Sequence, residues 1–100
     1  MTLEEFKRCT SDGRPPATLS QPLLALWHDA RGDWTAAHET AQEIRDTNGS
    51  WVHAYLHRKE GDLGNAGYWY HRAGKPERRG SLEEEWDEIA VALLRNANDE

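Results

Sequence analysis

Apolar residues recur three and four positions apart along most of the chain, and no stretch alternates apolar and polar residues as a half-buried strand does. The clearest apolar stripe lies near the C-terminus and consists of Leu82, Trp86, Ile89, Ala90, Leu93 and Leu94. Residues at this spacing cover one face of an amphipathic helix. The pattern therefore predicts an all-α protein.

Capping and helix-breaking residues divide this pattern into segments. The predicted segments are a short helix over residues 1–9, an irregular linker over 10–20, helix pairs over 21–46 and 50–74, and a long helix over 81–97. The linker is rich in Pro, Gly and Ser, which favour irregular chain. Between the two pairs, Asn48 and Gly49 are expected to end one helix and Ser50 to cap the next. A chain of 100 residues is the size of one domain.

The two predicted helix pairs match each other with a period of 29 residues. In each pair a Gly-Asp dipeptide marks the turn, Gly32-Asp33 in the first and Gly61-Asp62 in the second. Gly adopts the left-handed conformation that ends one helix, and Asp then caps the following helix. The repeat predicts two antiparallel helix hairpins stacked side by side.

Both predicted hairpins resemble a tetratricopeptide repeat. The positions that carry the resemblance are Ala54, His57, Gly61, Asp62, Leu63, Ala66, Tyr70 and Ala73, with an earlier copy at Ala25, His28, Gly32, Asp33, Trp34, Ala37, Ala41 and Ile44. The resemblance implies that the N-terminal and C-terminal helices cap the open ends of the array. We expect Trp86, Ile89, Leu93 and Leu94 to pack on the second hairpin. Grooves of this family hold peptides, so the resemblance also implies a module that binds a protein or peptide.

Charge and composition narrow the classes of partner. The formal net charge is −6, which argues against nucleic acid and against anionic membrane surfaces as partners. No run approaches the roughly 20 apolar residues that span a bilayer. Cys9 is the one cysteine, so it has no partner for an internal disulfide. These features predict a cytoplasmic protein.

An excess of aromatic residues suggests where a partner would bind. Tyr68 and Trp69 align with polar positions of the first hairpin, which leaves them without a role in the hairpin core. They either pack under the C-terminal helix or the linker, or form a partner surface. The resemblance implies that Trp51 and Tyr55, with Arg58 nearby, line the inner groove that such repeats offer to peptides. The hypothesis is a small protein-interaction module that uses these five residues, and self-association as a homodimer remains an alternative.

The histidines offer a second, different hypothesis. His53 and His57 are four residues apart and share one helix face, a spacing that suits a metal ion. His28 or Glu60 would have to supply a third ligand. His28 and His57 align in the repeat with an aromatic position of the resembled family, which favours packed histidines. No metal or cofactor is therefore predicted, and the alternative is a metal or small-ligand protein that uses His53, His57 and His28.

Candidate acid–base residues are the same histidines together with Asp29 and Glu60. Charged residues make up 30% of the chain, so such groupings arise readily by chance. Two helix hairpins also seldom enclose the pocket that catalysis needs. The sequence therefore favours a binding protein over an enzyme.

Overall fold

The computed structural model describes residues 1–98, which form six α-helices and no β-strand. The all-α prediction is confirmed. The helices are α1 (Leu3–Cys9), α2 (Gln21–Ala30), α3 (Trp34–Gln42), α4 (Thr47–Glu60), α5 (Leu63–Ala73) and α6 (Leu82–Asn98). Within these residues, no helix combines the length and the apolar character that crossing a membrane requires.

The chain reverses at the two predicted Gly-Asp turns. Gly32 lies between α2 and α3 with φ 80°, and Gly61 lies between α4 and α5 with φ 90°. The Asp33 carboxylate accepts a hydrogen bond from the amide three residues later (3.0 Å), and Asp62 does the same (3.2 Å). A left-handed glycine followed by an aspartate cap therefore ends one helix and starts the next at both places.

The boundary between α3 and α4 differs from the prediction. α3 ends at Gln42, and α4 begins at Thr47 rather than after Ser50. Asp46 is the N-cap of α4, and its carboxylate accepts a hydrogen bond from an amide of the first turn (3.0 Å). Residues 48–49 therefore start a helix instead of ending one.

The reason for Gly49 is close packing rather than helix termination. A Cβ atom at this position would lie 2.5 Å from Cβ of Ile44, which is closer than real Cβ contacts come. Hydrogen in place of Cβ lets the connection before α4 fold back against the helix. This contact places the end of α3 beside the start of α4.

α4 is the central helix of the protein. It packs against α2, α3, α5 and α6, and every residue from 49 to 57 is buried. A helix buried on all sides has no continuous polar face, so polar side chains on α4 need partners inside the protein. Several of those partners form the sites described below.

The terminal helices do not occupy opposite ends, which corrects the expectation of two separate caps. α6 packs on α4 as predicted, but it also packs on α2 and on α1. The rings of Phe6 and Trp86 stack with centroids 5.4 Å apart, and Trp86 Nε1 donates to the carbonyl oxygen of Leu26 (3.2 Å). Burying these two rings together removes a large apolar area from water, which brings α1 and α6 into contact.

A buried carboxylate joins α4, α5 and α6. Glu85 is 0% exposed and accepts hydrogen bonds from the Tyr70 hydroxyl at both oxygens (2.7 and 2.6 Å). The Arg58 guanidinium donates to the same carboxylate (2.9 Å). Burial, and then the hydrogen bond to Glu85, raise the pKa of Tyr70, so this phenol stays a donor. The network pairs the charge of Glu85 inside the protein.

Candidate metal centre

Three histidines converge where α3 meets α4. His38 belongs to α3, and His53 and His57 belong to α4. One ring nitrogen from each residue lies within 4.8 Å of the other two. Nε2 of His38 and Nε2 of His53 are 2.9 Å apart. Three nitrogen atoms that can bind a metal ion therefore lie close together.

Local structure explains the convergence. His53 and His57 are four residues apart, so they project from the same face of α4. His38 follows Trp34 by four residues on α3, and their rings stack with centroids 4.9 Å apart. Trp34 Nε1 donates to the carbonyl oxygen of Leu56 (2.9 Å), which anchors α3 to α4. Trp34 therefore sets the position of His38 relative to the α4 pair.

A second tryptophan covers the cluster from α5. The ring of Trp69 stacks on His53 with centroids 3.9 Å apart and an interplanar angle of 16°. His53 and His57 are 5% and 6% exposed, and His38 is half-buried. The three imidazoles therefore lie in a largely dry site between two indole rings.

Burial lowers the pKa of two of these imidazoles, His38 and His53. Burial, together with charge repulsion from the neighbouring His38 and His57, lowers the pKa of His53 to about 4. Burial also lowers the pKa of His38, and His57 acts in the same direction. A neutral imidazole has a free lone pair, and this is the form that binds metal ions.

A carboxylate contacts one ring nitrogen of His57. Nδ1 of His57 lies 2.5 Å from Oε1 of Glu60. An N–H at Nδ1 that donates to Glu60 leaves Nε2 as the nitrogen with a lone pair. Metal-binding histidines commonly make this contact, because it orients the ring and raises the basicity of the ligating nitrogen. The exposed Glu60 and Asp62 also form a second grouping with the buried His57.

The structure brings His38, not His28, to the α4 pair. His28 lies on α2, where its ring stands edge-on to Trp27 with centroids 5.3 Å apart. Sequence reasoning missed His38 because it is 15 residues from His53 and belongs to a different helix. The available signal was its position one turn after Trp34, beside the apolar stripe of α3.

Two of the predicted partner-binding residues point inward and are already paired. Tyr55 is 3% exposed, and its hydroxyl donates to Asp29 (2.9 Å), which also pairs with Lys59 (2.8 Å). Asp29, a candidate acid–base residue, therefore lies apart from the histidines. Arg58 is engaged with Glu85, as described above. Tyr55 also lines a surface pocket of about 440 Å³ together with Asp29 and Lys59.

The other three predicted residues are distributed differently. Trp51 is 6% exposed, with the Lys75 ammonium 4.3 Å above its ring. Trp69 is half-buried against His53, so it belongs to the histidine site. Tyr68 is 53% exposed and is the one member of the five that presents most of its ring to solvent.

Three imidazole nitrogens in a dry site are suited to a borderline or soft divalent ion such as Zn²⁺, Cu²⁺, Ni²⁺ or Co²⁺. Three histidine ligands also leave a fourth coordination position for water or another ligand. No known protein-family model, curated protein sequence or solved structure matches this chain. Its function is therefore argued from the geometry of the site.

Proposed function

We propose that the protein binds a divalent transition-metal ion through His38, His53 and His57. The observation that carries the proposal is the approach of one nitrogen from each ring to within 4.8 Å of the others. Two zinc ligands at about 2.0–2.1 Å from the metal are roughly 3.4 Å apart in a tetrahedron. Nε2 of His38 and Nε2 of His53 are 2.9 Å apart, close to that separation.

The surroundings support a metal site over a simple packing cluster. Without a metal, Nε2 of His38 and Nε2 of His53 hydrogen-bond to each other (2.9 Å), and a bound ion would replace this contact with two coordinate bonds. The Glu60 contact at Nδ1 of His57 supports ligation through Nε2. The stacked rings of Trp34 and Trp69 hold the other two imidazoles in place. These contacts favour a preorganised ligand set.

Metal binding would join α3 to α4 and would stabilise the fold. An ion that binds only the native state raises the free energy of unfolding by about 2.7 kcal/mol at 100 times its dissociation constant. We expect Zn²⁺, Co²⁺, Ni²⁺ and Cu²⁺ to raise the melting temperature, and Mg²⁺ and Ca²⁺ to have no effect because they prefer oxygen ligands.

The test is a calorimetric titration of the metal-free protein with Zn²⁺ and Co²⁺. One ion should bind per chain, and Co²⁺ should give the strong visible absorption of a tetrahedral site. His38→Asn, His53→Asn and His57→Asn should each weaken binding at least tenfold. The matched control is His71→Asn, an exposed histidine of α5 that should bind metal normally. Equal binding by all four variants would overturn the proposal.

A second proposal is that the exposed part of α5 binds a protein partner. Its support is the exposure of two large apolar side chains on one helix, Leu63 at 66% and Tyr68 at 53%. The double variant Leu63→Ser/Tyr68→Ser should keep the melting temperature and lose the partner or the self-association. Val91→Ser, an exposed apolar position of α6, is the control. Unchanged association in sedimentation and crosslinking would contradict the proposal.

We also propose that α2–α3 and α4–α5 are two copies of one helix pair, similar to tetratricopeptide repeats. The support is the shared turn: a left-handed glycine and an aspartate cap occur in both pairs, 29 positions apart. The test is superposition of the two pairs in an experimental structure. Interhelical angles that differ by more than about 20° would contradict it.

A further inference from the structure

A small pocket adjoins the histidine cluster. It has a volume of about 230 Å³ and lies between the α3–α4 connection, α4 and α5. The residues that line it are Gln42, Ile44, Arg45, Ser50, His53, Trp69 and Arg72. His53 and Trp69 belong both to this pocket and to the histidine site, so the two are contiguous.

The charged side chains that line the pocket are positive, which favours the binding of an anion. Arg45 and Arg72 line it, and no carboxylate does, in a chain whose net charge is −6. Among the ion pairs of residues 1–98, neither arginine pairs with an acidic side chain. Gln42 and the buried Ser50 contribute further groups that can donate hydrogen bonds.

Arg72 is held in place before any ligand arrives. Its guanidinium lies 5.3 Å from the centroid of Trp69 and 5.8 Å from that of Tyr68, and it donates to the Tyr68 hydroxyl (3.0 Å). A stacked guanidinium keeps N–H groups free to bind a second partner and loses little entropy when it does so. This arrangement suits a planar or tetrahedral oxyanion.

We infer that this pocket holds the oxyanion group of a small ligand, a carboxylate or a phosphate, which occupies the fourth position of the metal bound at His38, His53 and His57. The inference rests on the proposed metal site. Three neutral imidazoles add no negative charge, and the Glu60 carboxylate on His57 offsets only one of the two charges of a divalent ion. An anion beside His53 would compensate the remaining charge. Arg45 and Arg72 would bind the oxygens that the metal does not.

The experiment uses the Co²⁺-loaded protein, titrated with inorganic phosphate in one series and with acetate in the other. Ionic strength is held constant with NaCl, because screening alone weakens charge interactions. Binding at the fourth position should shift the visible absorption bands of Co²⁺. Arg72→Gln and Arg45→Gln should each weaken anion binding about tenfold, the scale of one charge-assisted hydrogen bond. Arg79→Gln, an exposed arginine outside the pocket, should leave it unchanged.

The outcomes distinguish a failure of the oxyanion pocket from a failure of the metal site. Absence of Co²⁺ binding overturns both. Co²⁺ binding with no spectral response to either anion overturns the oxyanion pocket alone. A response that Arg72→Gln and Arg45→Gln leave intact also overturns it, provided that both variants bind Co²⁺ normally. A response to phosphate alone or to acetate alone supports the pocket and identifies the preferred class of ligand.

Discussion

Oε1 of Glu60 lies 2.5 Å from Nδ1 of His57, one turn along α4. This carboxylate orients the imidazole without being one of the three nitrogen ligands. Glu60→Ala should therefore lower the affinity for Zn²⁺ about 10–100-fold while leaving one ion bound per chain. Isothermal titration against Zn²⁺ measures the change, with Glu43→Ala, an exposed glutamate after α3, as control.

The second grouping, of His57, Glu60 and Asp62, is an alternative metal site that can be tested. If the metal bound there, Asp62 would be a ligand, and Asp62→Ser should weaken binding as strongly as His57→Asn. Serine is a good N-cap, so this change keeps the cap of α5 while removing the carboxylate. We expect Asp62→Ser to bind Zn²⁺ with wild-type affinity.

Acid should destabilise the metal-free protein through His53. The folded state holds the pKa of His53 at about 4, while the unfolded chain titrates near the ordinary value of 6.5. Between these values the unfolded state binds more protons, so the free energy of unfolding falls as the pH is lowered from 6.5 to 4. The loss from this residue is on the order of 3 kcal/mol. His38 acts in the same direction, because its pKa is also lowered.

Urea denaturation in EDTA, repeated from pH 7.5 to pH 4, measures this dependence. The titratable and charged groups around His53 are His38, His57 with its partner Glu60, and the arginines Arg45 and Arg72. Buried carboxylates also titrate in acid, so the informative quantity is the difference between the wild type and His53→Asn. The variant should have a shallower slope below pH 6.5, and parallel curves would show that His53 does not carry the effect.

Removal of the buried Glu85 carboxylate should be strongly destabilising. Glu85→Ala leaves the Arg58 guanidinium and the Tyr70 hydroxyl inside the protein without their partner. Breaking a buried charge pair by removing one member costs about 3–5 kcal/mol. Glu83→Ala, an exposed glutamate of the same helix, should change the free energy of unfolding by less than about 0.5 kcal/mol. Similar urea midpoints for the two variants would contradict this account.

Two glycine-to-alanine substitutions should change the free energy of unfolding in opposite directions. Gly49→Ala introduces a Cβ 2.5 Å from that of Ile44 and should cost about 1–3 kcal/mol, as overpacking does. Gly64→Ala meets no atom within 4 Å in α5 and should stabilise by up to about 1 kcal/mol, because alanine favours helix. Thermal unfolding of both variants tests the pair, and stabilisation by both would show that Ile44 moves aside freely.

The helical class and the Gly-Asp turns were predictable from sequence because they depend on local chemistry. A left-handed glycine and an aspartate cap act within a few residues of one another, as they do at Gly32-Asp33. The same local rule failed at Gly49, where the decisive contact is with Ile44 of the preceding connection. A single sequence does not distinguish a glycine that ends a helix from a glycine that allows another residue to pack closely against it.

The candidate site was predictable only in part for a related reason. Helical spacing placed His53 and His57 on one face, but the position of His38 depends on how α3 packs against α4. The hydroxyl of Tyr55 donates to Asp29 of α2, a contact that the sequence did not predict. Partners supplied by another helix are not visible from spacing along one helix.

Glu85 also restricts the position in which α6 can dock, an effect separate from its contribution to stability. Its carboxylate accepts hydrogen bonds from both Tyr70 and Arg58 only when α6 docks in one register. A shift of α6 by one helical turn, about 5.4 Å, would keep much of its apolar stripe in contact. The same shift would leave the Glu85 carboxylate buried without its partners. The network therefore discriminates against misaligned dockings of the C-terminal helix, which apolar surfaces alone would tolerate.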